Sequence, residues 1–74
     1  MKKNQVHARL IEQGSNFEQW ALANGYKPRT VTQAVTRWAG KNHLPQGRLT
    51  FRILQELSRD IGQEILPGLL KEVA

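Results

Sequence analysis

Ala21, Gly25 and Pro28 punctuate the middle of the chain at spacings of four and three residues. This spacing restricts the stretch from Phe17 to Trp38 to two helices joined by a very short turn. A small side chain at Ala21 lets the helices approach closely. Gly25 tolerates the positive φ that a tight turn demands. Pro28 suits the first turn of a helix, where no backbone donor is needed, and it holds Lys27 extended. Val31, Ala34, Val35 and Trp38 then recur at helical spacing up to Gly40. Ahead of the turn, Phe17, Trp20 and Ala21 share the inward side. The opening Ser15-Asn16-Phe17-Glu18 reads as a capping box, with the Ser15 hydroxyl accepting from the Glu18 amide and Glu18 reaching back. The spacing therefore predicts a helix-turn-helix from about Ser15 to Gly40. Asn24 stands where this motif usually carries an apolar residue, and a side-chain bond that terminates the helix would account for it. Ordinary helical hairpins also place glycine between helices, so the spacing alone does not assign a function.

The remaining segments are also helical in period. The first runs roughly from Asn4 to Gln13, with Val6, Leu10 and Ile11 along one side and Gly14 as its stop. Residues 41–47 read as a loop. Another helix is expected to begin between Gly47 and Thr50, with Leu49, Ile53, Leu57 and Ile61 as its apolar stripe, Leu54 in support and Gly62 as its end. The tail from Gln63 carries Ile65, Leu66, Leu69, Leu70 and Val73 around Pro67-Gly68. It is open whether residues 63–74 form a flexible end, a dimer seam or the closure of the core. Seventy-four residues suffice for one domain with one modest core. The expected fold is all-α, with four or five helices in a single domain spanning residues 1–74.

Charge narrows the partner. The formal net charge is +5, which favours a polyanion. The acids are Glu12, Glu18, Glu56, Asp60, Glu64 and Glu72, and none lies between Gln19 and Gln55. That acid-free stretch carries Lys27, Arg29, Arg37, Lys41, Arg48 and Arg52, with His43 among them. A solvated helical surface usually mixes signs, so the stretch suggests a face meant for phosphates, although chance clustering in a small basic protein has to be weighed against it.

The outward residues of the Pro28–Gly40 segment sharpen this. With Val31, Ala34, Val35 and Trp38 inside, those left outside are Arg29, Thr32, Gln33, Thr36 and Arg37. Glutamine can pair with adenine, arginine with guanine, and a threonine methyl can meet the thymine methyl. Threonine is a poor helix former to place on a face that only meets water. Arg29, Thr32, Gln33 and Thr36 are therefore the expected base-reading residues. Lys27, Arg37, Lys41 and Arg48 are the expected phosphate contacts, joined by backbone amides near Asn16 at the start of the preceding helix.

Other chemistries find little support. Cysteine is absent, which removes disulfides and thiolate metal sites. His7 and His43 have no further ligand at metal-binding spacing. Trp20 and Trp38 could stack on bases, but their inward positions favour packing. There is no nucleophile–base pair, carboxylate dyad or phosphate-cradling glycine loop, so neither an enzyme, a cofactor, a metal nor a small-molecule ligand is expected. No apolar run approaches a bilayer span, and the basic start Met1-Lys2-Lys3-Asn4-Gln5 lacks the apolar stretch of a signal peptide. A soluble intracellular protein is expected, with no membrane partner.

The run Asn24-Gly25-Tyr26-Lys27-Pro28-Arg29-Thr30-Val31-Thr32-Gln33-Ala34-Val35, followed by Trp38, resembles the small Ner-type regulators of Mu-like transposable phages. In that family a Gly-Tyr-x-Pro-x-Thr run opens the recognition helix, and a later Ile/Leu-rich helix ends in an apolar-Pro pair, like Leu66-Pro67 here. The resemblance covers roughly Val6 to Pro67. It implies a lambda-repressor-like fold, a negative regulator of early transcription and a place on DNA in the cytoplasm of a bacterial host. The insert from Gly40 to Leu49 is longer than the family pattern. The expectation is thus sequence-specific binding to double-stranded DNA as a repressor, with a monomer or weak homodimer in solution and a pair of copies on DNA. Two alternatives stand beside it: an accessory domain that marks a DNA end in transposition or recombination, and an adaptor whose basic face meets an acidic protein.

Overall fold

The computed structural model describes residues 1–70, and among these the chain forms four helices and no strand: α1 (Lys3–Glu12), α2 (Phe17–Ala23), α3 (Pro28–Trp38) and α4 (Arg48–Ile61). No helix among them is long and apolar enough to cross a membrane.

The chain closes α1, α2 and α4 with the same device. At the end of α1 the Gly14 amide donates to Ile11 O (2.9 Å) and the Ser15 amide to Leu10 O (2.9 Å), with Gly14 at φ 74°. At the end of α2 the Gly25 amide donates to Leu22 O (3.3 Å) and the Tyr26 amide to Ala21 O (2.8 Å). At the end of α4 the Gly62 amide donates to Arg59 O (3.3 Å) and the Gln63 amide to Ser58 O (3.1 Å). Each is a paired closure around a left-handed glycine that satisfies the last free carbonyls of a helix.

This device corrects the expected capping box. Because the Ser15 amide is drawn back to close α1, Ser15 belongs to the preceding helix's exit and the cap moves one residue on. Asn16 caps α2 instead, its side-chain oxygen accepting from the Gln19 amide at 2.8 Å, while the Ser15 hydroxyl donates to Asn16 O. Asn24 behaves as its polar character suggested: its Nδ2 donates to Trp20 O at 2.8 Å and helps terminate α2.

One core joins all four helices. Val6 and Leu10 come from α1, Phe17, Trp20 and Ala21 from α2, Val31, Ala34 and Val35 from α3, and Ile53, Leu54, Leu57 and Ile61 from α4. Ala21 is wholly enclosed. Trp38 is half-buried at the core's edge. Two apolar positions depart from the sequence reading: Ile11 is 58% exposed and Leu49 is 54% exposed. In a helix each step of four residues drifts about 40°. Leu49, three such steps before Ile61, falls outside the Ile53 edge of the buried arc, which runs from Ile53 through Leu57, Ile61 and Leu54 to Ser58.

The tail folds back onto this core. Ile65, Leu66 and Leu69 have no exposed surface. The Ile65 amide donates to the buried Ser58 hydroxyl at 3.0 Å, and Gln55 Nε2 donates to Leu69 O at 3.1 Å. Within residues 63–70 it is Ile65, Leu66 and Leu69 that pack into the core; Val73 lies outside the described residues. Leu69→Ala is therefore expected to lower unfolding stability by ~2–5 kcal/mol, read from denaturant melts at several protein concentrations. A loss that appears only at concentrations where copies associate would instead assign Leu69 to a seam between chains.

Candidate nucleic-acid interface

The turn residues fix how α3 leaves α2. Tyr26 stacks on Trp20 with ring centroids 5.9 Å apart and planes 22° from parallel. Its hydroxyl donates to Glu56 Oε2 at 2.8 Å, and Glu56 Oε1 accepts from Arg52 Nε at 3.1 Å. One turn along α4, Asp60 Oδ2 accepts from Trp20 Nε1 at 2.6 Å. Two acids four residues apart on α4 thus hold the rings on either side of the α2–α3 turn. The sequence reading did not pair Tyr26 with Glu56, or Trp20 with Asp60. The available signal was that these acids are the first to follow the acid-free stretch.

Lys27 stands just ahead of α3 as its extended cap residue, and Pro28 takes the first helical position. The inward set Val31, Ala34 and Val35 is buried. The opposite side collects Arg29, Thr32, Gln33, Thr36 and Arg37; Thr32 is half-buried and the others are exposed. At about 100° per residue these five span one continuous face. Among the described residues none of their side chains makes a hydrogen bond or ion pair. Some polar side chains elsewhere are tied down: Arg9 Nη2 donates to Gln63 Oε1, and Gln13 Nε2 to Asp60 O.

The remaining predicted contacts lie on neighbouring segments. Lys41 follows α3, and its Nζ sits 5.7 Å from the centre of the Trp38 ring, a cation–π distance. His43 meets the same ring edge-on at 5.3 Å. Arg48 is exposed at the start of α4. Arg37, Trp38, His43 and Thr50 help to line a hollow of about 420 Å³ between the end of α3 and the loop, so Arg37 borders both the loop and the outer face of α3. Asn16 differs from the others: its side-chain oxygen is committed to the Gln19 amide, leaving its Nδ2 and the backbone as the donors a phosphate could meet there.

The single ion pair among the described residues is Arg52–Glu56. Lys27, Arg29, Arg37, Lys41 and Arg48 are all exposed and outside it. The positive side of the molecule is therefore not neutralised by its own acids, and Glu56 and Asp60 are engaged by Tyr26, Arg52 and Trp20. No family model, curated protein or solved structure matches the chain.

Burial, then the hydrogen bond to Glu56 and the charge of that carboxylate, push the Tyr26 phenol above its ordinary value of 10.0, against an opposing pull from Arg52. The folded state thus holds this proton more tightly than the unfolded chain. Its contribution to stability is complete below pH 10 and fades as pH climbs through the raised folded value. Tyr26→Phe is expected to cost about 1 kcal/mol near neutrality, with the gap from the parent narrowing above pH 10. Denaturant melts across that range check the sign. Tyr26 is the only tyrosine, so tyrosinate absorbance reports its titration without overlap from another phenol.

Proposed function

We propose that the chain is a sequence-specific double-stranded DNA-binding protein, a small transcriptional regulator that acts as a repressor, with α2 and α3 as its helix-turn-helix and α3 as the reading helix in the major groove. The observation that carries this reading is the outer face of α3. Arg29, Thr32, Gln33, Thr36 and Arg37 lie together, acid-free and without internal partners among the described residues. A face of hydrogen-bonding side chains spent on nothing within the chain suits an external partner with an ordered array of donors and acceptors, which base edges supply.

The flanking cations give the reading its affinity. Lys27 and Arg37 stand at the two ends of α3, Lys41 in the loop after it and Arg48 at the start of α4, where they would neutralise phosphates, setting register without reading sequence. The all-helical architecture agrees with a lambda-repressor-like arrangement, and the Gly25-Tyr26-Lys27-Pro28 run supports a Ner-like regulator acting in a bacterial cytoplasm. One reading helix covers few base pairs, so the proposal places two copies on half-sites ~34 Å apart. Ile65, Leu66 and Leu69 are enclosed, so the proposal puts the contact between copies on surface other than these three.

Selection from a pool of random duplexes tests the proposal. Enrichment of a common site, with affinity falling steeply as salt rises, is the expected result. Gln33→Ala should weaken that site by ~1–3 kcal/mol and leave binding to random duplex nearly unchanged. Equal losses on both would remove Gln33 from base reading. Absence of any enriched sequence would turn the basic face toward an acidic protein partner instead.

A further inference from the structure

The outer face of α3 carries a shallow, open depression between its side chains. Thr32, Gln33, Thr36 and Arg37 line a hollow of about 450 Å³. Thr32 and Thr36, four residues apart, make one wall; Gln33 and Arg37, also four apart, make the other. Threonine costs helix stability relative to alanine, and neither hydroxyl forms a hydrogen bond among the described residues that would offset that cost. What the two threonines add to the wall is a pair of β-branched methyls with few rotamers open to them in a helix. The facing wall supplies an amide and a guanidinium.

Resting on the DNA-binding reading, we propose that this hollow is a thymine socket. It receives the C5-methyl of one thymine in the major groove against the Thr32 and Thr36 methyls. Gln33 bonds the adenine edge beside it. Thymine is the only unmodified base that presents a methyl group in that groove. The wall therefore discriminates by burying a carbon, and the Gln33 amide by pairing a donor and an acceptor. Its substrate class is duplex DNA in which a thymine–adenine contact lies under the middle of α3.

The test uses the full chain and the duplex obtained by selection. Each thymine is replaced singly by deoxyuridine, which deletes the methyl and keeps every hydrogen-bonding group. The expected result is one position per half-site where affinity falls about four-fold, the equivalent of ~0.8 kcal/mol for one buried carbon. Thr32→Ser and Thr36→Ser keep the hydroxyl and drop the methyl. In at least one of them, with melting temperature unchanged, the thymine–deoxyuridine difference should disappear. Selective binding that is indifferent to deoxyuridine at every position overturns the socket and leaves the DNA-binding reading intact. A deoxyuridine penalty that survives in both serine variants overturns it as well, by placing the methyl elsewhere. Failure to select any preferred duplex removes the socket together with the reading beneath it.

Discussion

The orientation of α3 depends on how the chain turns at Tyr26. Three contacts converge on this residue: its amide closes α2 on Ala21 O, its ring lies on Trp20, and its hydroxyl reaches Glu56. The amide contact sets where α2 stops. The ring contact belongs to the apolar pairing that commonly accompanies this kind of helix exit. The hydroxyl contact ties the turn to α4, a helix that begins more than twenty residues later. Gly25, at φ 79°, makes the reversal possible, and Tyr26 makes it definite. Everything on the outer face of α3 inherits its direction from this joint.

The same joint sorts the charges. Glu56 and Asp60 are used by Tyr26, Arg52 and Trp20. A carboxylate that accepts such bonds beside the core is a structural part, and its negative charge is partly countered where it stands. The cations around α3 receive no comparable treatment. A basic surface of this kind is self-repulsive, modestly so at physiological ionic strength, where screening acts over about 8 Å. The fold tolerates that repulsion because the cations are exposed and spread over both ends of α3, the loop after it and the start of α4.

The helices were readable from the residues because their punctuation is chemical. Gly14, Gly25 and Gly62 occupy left-handed positions that close helices, and Pro28 opens one, so the segment bounds follow from local sterics. Ala21, Val31, Ala34 and Val35 were readable as core because helical period places them on one side. Leu49 was misread for the same reason in reverse: a stripe of four-residue steps looks straight in sequence but winds around the helix. The cap of α2 went to Asn16 because Ser15 was already committed to the exit of α1, a competition between neighbouring elements that a four-residue motif does not reveal. The links from Trp20 to Asp60 and from Tyr26 to Glu56 span forty and thirty residues, and no local pattern encodes a partner at that distance. The outer face of α3 was readable as a set of residues, but the shallow depression between them was not, since that depends on how side chains on adjacent rows lean together.

The two tryptophans occupy different environments. Trp20 is 5% exposed and its indole nitrogen is bonded to a carboxylate, whereas Trp38 is half-buried beside Lys41 and His43. The chain therefore carries two intrinsic optical probes at separate addresses. Emission from Trp20 follows the integrity of the core. A collisional quencher such as acrylamide reaches Trp38 first, and shielding of that component follows coverage of the surface where α3 meets the loop, without any label being attached.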